Sequence, residues 1–234
     1  MDLGLREGRR WRPSYYFWEE ESQVGGMFAG VKFGGTELAG LPVAVSFAAG
    51  LNVYATVATL GLLAHAGVLT LPATLDLLAS WWVIGASGVL FSIEFFADKI
   101  PAFDLFWNAL HTFVRVPVAA LIAYGATSQL PPEEQLLAAL AGGAIALAAH
   151  GGKTAVRVAV TPSPEPLSNI SLSLGEDALA IFLTWLATQH PIIASLTALA
   201  FLIAIVVVLR WLVRSLGRLF GGALTEPASF QVPS

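Results

Sequence analysis

The sequence predicts an all-α membrane protein, a polytopic bundle of about six transmembrane helices. Hydrophobic residues make up 56% of the 234 residues and charged residues only 12%, whereas about a quarter of an ordinary soluble domain is charged. The apolar residues also fall in blocks of about twenty, each long enough to cross ~30 Å of hydrocarbon at about 1.5 Å per residue. Together these two observations favour a single membrane domain.

The predicted spans are separated by loops that contain proline, glycine or charged residues. They cover residues 41–66, 77–96, 103–127, 136–156, 177–187 and 192–213. The fifth is too short for a full crossing unless it begins near Leu172, because a spanning helix needs about 20 residues.

The ends of the chain have a different composition from the middle. We expect residues 1–40 to form an N-terminal cytoplasmic or interfacial extension, residues 41–220 the transmembrane helical domain and residues 221–234 a C-terminal cytoplasmic tail. Arginines alternate with tryptophan and tyrosine in the extension, as is typical of a segment in the headgroup layer; a disordered tail is the alternative. No apolar core follows the arginines, which argues against a cleavable signal peptide.

The distribution of basic residues tests the six-span arrangement, since cytoplasmic loops are enriched in Lys and Arg. With six spans, all of the 12 Lys and Arg residues except Arg115 fall on one side of the membrane. The opposite loops contain Asp76, Glu133 and Glu134. We therefore expect a multi-pass membrane protein with both termini in the cytoplasm.

Two pairs of short motifs suggest an internal repeat. GLLAHAG at 61–67 resembles ALAAHGG at 146–152, and ADKIP at 97–101 loosely parallels ATQHP at 187–191. A repeat of three spans each would invert the second half relative to the first, as in many transporters. Alanine and glycine are common in this chain, so similarity by composition alone is the alternative.

Ionisable residues inside the predicted spans are the strongest candidates for a functional site, because each costs at least ~2.5 kcal/mol at the bilayer centre. Helical spacing places them on single faces of the second, third and fourth spans, and Glu176 and Asp177 are expected to open the fifth helix. The candidate binding residues from these patterns are Asp98, Lys99 and Glu94 in the second span and its loop, Asp104, His111 and Arg115 in the third, His150, Lys153 and Arg157 in the fourth, and Glu176 and Asp177.

Two interpretations of these charges remain open. In the first, they line a polar cavity open to the cytoplasm that binds an ion, a proton or an anionic headgroup. In the second, they pair and lock four helices together, because a satisfied buried charge persists while an unpaired one is destabilising. Arg115 favours the first interpretation slightly, since it lies about 21 Å of helix rise beyond Pro101, too deep to reach the interface easily.

Asn52 is a further candidate binding residue in the first span. Gly50 is close to it and could unwind the helix locally, exposing backbone groups to a substrate as in discontinuous transporter helices. The alternative is that this amide and its small neighbours hold helices together.

Catalytic and cofactor motifs are missing from the sequence. It has no cysteine, which excludes disulfides and thiolate metal sites, and it has no recognisable hydrolase, nucleotide-binding or metalloprotease motif. Lys153 and Arg157 would repel a cation held by His111 and His150. We therefore predict no metal site and no cofactor, and we lean against an enzyme.

Three segments carry a family resemblance: GLNVYATVATLGLL, EFFADKIPAFDLFWNALHTFVR, and HGGKTAVRVAVTPSPEPLSN with the GED that follows. Over about residues 46–213 the chain resembles the bacterial membrane family DUF4126, with ADKIP-x-x-D and SPEP-x-SN as the specific features. The resemblance implies a multi-span inner-membrane protein and brings no established activity. It adds Glu165 and Asn169 to the candidate binding residues.

Two functions follow from these observations. The first is a small transporter or channel-like protein for a small solute, an ion or a lipid headgroup. The alternative is a non-catalytic structural or accessory subunit of a larger membrane complex. The expected partners are the lipid bilayer and, through the N-terminal extension and the C-terminal tail, other membrane subunits; no nucleic acid is expected.

Overall fold

The computed structural model describes residues 35–97, 101–160 and 166–223. Seven α-helices and one 3₁₀ helix occupy them: α1 (Gly35–Leu51), α2 (Val53–His65), the 3₁₀ helix (Ala73–Ala79), α3 (Trp81–Ala97), α4 (Pro101–Ala126), α5 (Pro132–Val160), α6 (Pro166–Gln189) and α7 (Pro191–Ala223). These residues contain no strand, and the predicted all-α fold is confirmed.

Proline is the first residue of four of the seven α-helices in the described residues. Helices α4, α5, α6 and α7 each begin with one, at Pro101, Pro132, Pro166 and Pro191. Proline is favoured at the first position of a helix because its preset φ fits and its missing N–H would have no helical partner there.

Four of the described helices are long and apolar enough to cross a membrane. They contain residues 109–126, 132–157, 170–189 and 191–215. The 3₁₀ helix and α3 together make a fifth candidate, bent by 60°. The fifth predicted span thus begins early enough for a full crossing. The first predicted span differs from the expectation, because residues 41–66 form two shorter helices separated by Asn52.

Helix α1 is the centre of the bundle. It packs against α4, α5, α6 and α7, and Ala44, Val45, Phe47 and Ala48 on it are almost completely buried. Small residues allow this close packing, as is common between membrane helices. At Gly50 the approach is closest, because a Cβ there would lie 2.5 Å from the carbonyl oxygen of Ala146 on α5.

Contacts along α1 define its direction. Gly40 lies against Pro191 at the start of α7, Ser46 lies against Gly142, and Gly50 lies farther along α5. Helix α1 therefore runs parallel to both α5 and α7. It also begins at the end of the bundle where α7 begins.

Helix α2 turns back towards that same end. A Cβ at Gly61 would collide with the carbonyl oxygen of Leu78 at the 3₁₀ helix, and Leu75 of this 3₁₀ helix packs on Gly125 near the end of α4. Helix α4 contacts the last turn of α1 through Arg115 and then runs back to Gly125, beyond the level of Ser46. Helices α1 and α2 therefore form a hairpin with its tip at Asn52.

This hairpin replaces the straight crossing expected for residues 41–66. Gly40 lies at the end of the bundle opposite to the last turns of α7, which carry Arg210. The first motif pair of the proposed repeat also occupies unlike positions, because residues 61–67 end α2 whereas residues 146–152 lie in the middle of α5. The repeat and the side of each terminus stay predictions.

Candidate functional site

Nine of the candidate residues lie together around the hairpin tip, and all are buried. They are Asn52, Glu94, His111, Arg115, His150, Lys153, Arg157, Glu176 and Asp177. Glu176, the most accessible, is 9% exposed. Asp98, Lys99 and Glu165 lie outside the described residues, as do the side chains of Asp104 and Asn169. The described side chains of the nine residues form a network of hydrogen bonds and ion pairs.

Asn52 interrupts the helix and begins the next one. Its backbone is extended, with φ −148° and ψ 104°, and its side-chain oxygen accepts a hydrogen bond from the N–H of Ala55 at 2.9 Å. This is an N-cap, which satisfies one of the free N–H groups at the start of α2. The side-chain nitrogen donates to Oδ1 of Asp177 at 2.8 Å, so one amide caps α2 and connects it to α6.

Two cations meet the carbonyl groups at the end of α1. Nζ of Lys153 donates to the carbonyl oxygen of Leu51 at 3.2 Å, and Nη1 of Arg115 donates to that of Gly50 at 3.5 Å. The last carbonyls of a helix have no N–H partner within it and carry partial negative charge. The tip therefore has a negative helix end facing cations and a positive helix end facing the Asp177 carboxylate.

Ion pairs connect α3, α4, α5 and α6 beside the tip. Arg115 pairs with Oε1 of Glu94. Nζ of Lys153 lies 3.8 Å from the same oxygen and 3.2 Å from Oε2 of Glu176, which also accepts from Nη2 of Arg157 at 2.6 Å. Lys153 thus bridges two carboxylates. The nine residues contain three carboxylates and three permanent cations.

The contact between Arg115 and His150 defines a protonation state. Nη1 of Arg115 lies 2.7 Å from Nδ1 of His150. Because a guanidinium only donates hydrogen bonds, Nδ1 must be the acceptor and the ring is neutral. A proton on Nδ1 would break this contact. The second histidine of the site, His111, bonds through Nε2 to the hydroxyl of Tyr54 at 2.9 Å.

The network retains unused hydrogen-bonding capacity. Within the described part of the chain, Oε2 of Glu94 and Nε of Arg115 have no hydrogen-bond partner, although both residues are fully buried. Unsatisfied groups of this kind are costly and uncommon in folded proteins. The pair therefore offers one acceptor and one donor to a further group.

Two details of the site were not anticipated. Glu176 and Asp177 do not open a helix, because α6 begins ten residues earlier with Pro166 and carries them in its middle. Their role is pairing across helices, with Arg157 and Asn52, rather than dipole compensation at the start of α6. Tyr54 was also missed, since nothing in its apolar segment distinguishes it except that it follows Asn52 by two residues.

The fold and the buried charges define the class as a multi-pass helical membrane protein with an ionisable site inside the bundle. A family model described as "Domain of unknown function (DUF4126)" matches residues 39–211. The chain therefore belongs to this family, which confirms the resemblance drawn from its motifs. Searches of curated proteins and of solved structures gave no match.

Proposed function

We propose that this protein is a small transporter that moves a small charged solute across the membrane through the site at the tip of the α1–α2 hairpin. The observation that carries the proposal is the end of the central helix inside the bundle. From Gly40, which lies level with the start of α7, to Leu51, α1 rises about 17 Å, roughly half of a ~30 Å hydrocarbon core. A helix that only crossed the membrane would not stop there.

Helix ends inside a membrane are a recurring feature of solute sites. In transporters with broken helices, the positive end of one half-helix and the carbonyls of another bind solutes near the midplane. Here the end of α1 and the start of α2 meet at Asn52, with Lys153, Arg115 and Asp177 around them. The same elements are therefore available to a solute.

The ion pairs suggest how a solute enters. Lys153 contacts the Leu51 carbonyl oxygen and lies close to Glu94 and Glu176. If one of these carboxylates rotates to bind a solute, Lys153 still has its other two partners. Oε2 of Glu94 accepts a hydrogen bond from the incoming solute, and Nε of Arg115 donates one to it. Because the permanent charges of the site balance, a bound ion leaves one charge uncompensated, so a counter-ion or a proton must accompany it.

The test is transport by purified protein in liposomes. Separate preparations carry imposed gradients of protons, sodium, potassium, chloride and inorganic phosphate, each followed by a dye or an electrode. We expect the wild type to dissipate at least one gradient faster than protein-free liposomes. Glu94→Gln should abolish this flux, because it removes the charge shared by Arg115 and Lys153.

Ser92→Ala is the matched control on α3. Ser92 is exposed, and its hydroxyl bonds only within its own helix, to the carbonyl of Gly88, so the substitution should leave the flux unchanged. Size-exclusion chromatography verifies that each variant is folded. Absence of flux for all five ions, or wild-type flux in folded Glu94→Gln protein, would overturn the proposal.

A second function, accessory subunit of a membrane complex, is favoured by the exposure of α7. Only 11% of its apolar stretch, within residues 191–215, is buried. Thr197, Ala200 and Ala204 lie in a shallow groove between larger side chains, and small residues in such positions let a second helix approach closely. Isolation of the protein in a mild detergent tests this function. A partner protein that co-purifies with the wild type but not with Ala200→Trp supports the subunit role. Isolation of the chain alone contradicts it.

For location, we propose the bacterial inner membrane, with the basic end of α7 in the cytoplasm. Arg210, Arg214 and Arg218 are spaced four residues apart on that end. The proposal follows from the enrichment of basic residues on the cytoplasmic side.

A further inference from the structure

A cavity lies outside the charged network, between α2, the 3₁₀ helix, α3 and α4. Its volume is about 590 Å³ and its walls are almost entirely apolar. This size is within the range of roughly 300–1,000 Å³ that small-molecule sites occupy. The cavity exists because α3 packs mainly on α2 and only sparsely on α4.

The cavity opens sideways, towards the surroundings of the bundle. Leu77 and Leu121, which contribute to its walls, are 71% and 66% exposed. In a membrane protein this face meets lipid, so the opening admits a molecule from the bilayer.

The dimensions of the cavity match one leaflet. Its lining on α4 extends from Gly125 to Val114, a rise of about 17 Å, and half of a ~30 Å hydrocarbon core is about 15 Å. The deep end contains Tyr54, whose hydroxyl is already bonded to His111. An extended acyl chain that entered at the Gly125 end would therefore end near the middle of the membrane.

The outer end has the features of a membrane boundary. Trp81 and Trp82, beside the 3₁₀ helix, are 62% and 89% exposed, and tryptophan is enriched at the headgroup level. Asp76 is exposed between Leu75 and Leu77, which both line the cavity. Its carboxylate complements the ammonium group of a zwitterionic phospholipid.

We infer that this cavity binds one acyl chain of a zwitterionic, amine-bearing phospholipid from the leaflet at the Glu133 end of the bundle. The lipid fills the space between α3 and α4 and supports α3, which carries Glu94. This inference is independent of the proposed transport, because it concerns a separate apolar site.

Photolabelling of the full chain tests the inference. The protein is reconstituted in liposomes that contain phosphatidylethanolamine with a photoactivatable group along its acyl chain, and the labelled peptides are identified by mass spectrometry. We expect preferential labelling of peptides from α3 and α4. Val118→Trp, which fills the cavity, and Leu121→Trp, which closes its mouth, should each abolish this preference.

Val207→Trp is the matched control, because Val207 is 59% exposed on α7 and lies away from the cavity. It should leave the labelling of α3 and α4 unchanged. Labelling of α3 and α4 no stronger than that of α7, or undiminished labelling in both cavity variants, would overturn the inference. Should Val118→Trp fail to fold, Leu121→Trp alone decides the result.

Discussion

Nζ of Lys153 lies 3.2 Å from the carbonyl oxygen of Leu51, the last residue of α1. A charged side chain of α5 thus satisfies the end of a helix that stops inside the bundle. Without such a partner, a carbonyl in a dry environment is costly. The relationship explains how an apolar helix ends here and why a lysine is buried beside it.

The first prediction concerns this contact. Lys153→Met keeps the length of the side chain, but it removes the ammonium group that contacts Glu176 and the Leu51 carbonyl oxygen. Removing one partner of a buried ion pair costs about 3–5 kcal/mol, so we expect a clear fall in the unfolding midpoint of the detergent-solubilised protein. Thr154→Val, the next position on α5, should have a small effect. Equal midpoints for the two variants would contradict the role given to Lys153.

The hydrogen bond between Asn52 and Asp177 gives the second prediction. Asn52→Asp keeps the N-cap of α2, but it places two carboxylates within 2.8 Å of each other, and Asp177→Asn alone removes the charge near the start of α2. The double substitution restores one amide and one carboxylate. We expect it to be more stable towards heat than Asn52→Asp alone. If the double variant loses as much thermal stability as the two single variants together, the two side chains do not interact.

Close packing of α1 on α5 gives the third prediction. Gly50→Ala places a methyl group 2.5 Å from the Ala146 carbonyl oxygen, and overpacking of this kind costs about 1–3 kcal/mol. Gly88→Ala on α3 meets no atom within 4 Å and should be neutral or slightly stabilising, because alanine favours a helix. The two variants are compared by thermal unfolding. A Gly50→Ala protein as stable as Gly88→Ala would contradict the close packing of α1 on α5.

The sequence was sufficient to predict the long helices and the charged residues that the structure brings together in its described part. Hydrophobic blocks identify the membrane segments because lipid requires long apolar helices. Spacings of three and four placed His150, Lys153 and Arg157 on one face of a helix, and the structure brings the latter two to Glu176. Such periodicity is a local property, so it can be read directly from the chain.

The hairpin could not be predicted in the same way. Residues 41–66 are apolar throughout, and this pattern is the same for a straight crossing and for two helices that fold back. The direction of α2 depends on its packing against the 3₁₀ helix, α3 and α6, and these tertiary contacts leave no periodic pattern within residues 41–66. Asn52 was the one local signal, because its side chain favours a helix start over a helix interior.

Cysteine labelling at the start of α1 and after α2 is the most direct test of the central claim, that α1 and α2 form a hairpin ending inside the membrane. The chain has no cysteine, so single cysteines can be introduced and labelled with a membrane-impermeant maleimide. Thr36→Cys lies at the start of α1 and Thr70→Cys follows α2, while Glu133→Cys and Arg214→Cys mark the two ends of the bundle. We predict that positions 36, 70 and 133 are labelled from one side and position 214 from the other. Labelling of position 36 from the side of position 214, with position 70 opposite, would mean a straight crossing and would contradict the account.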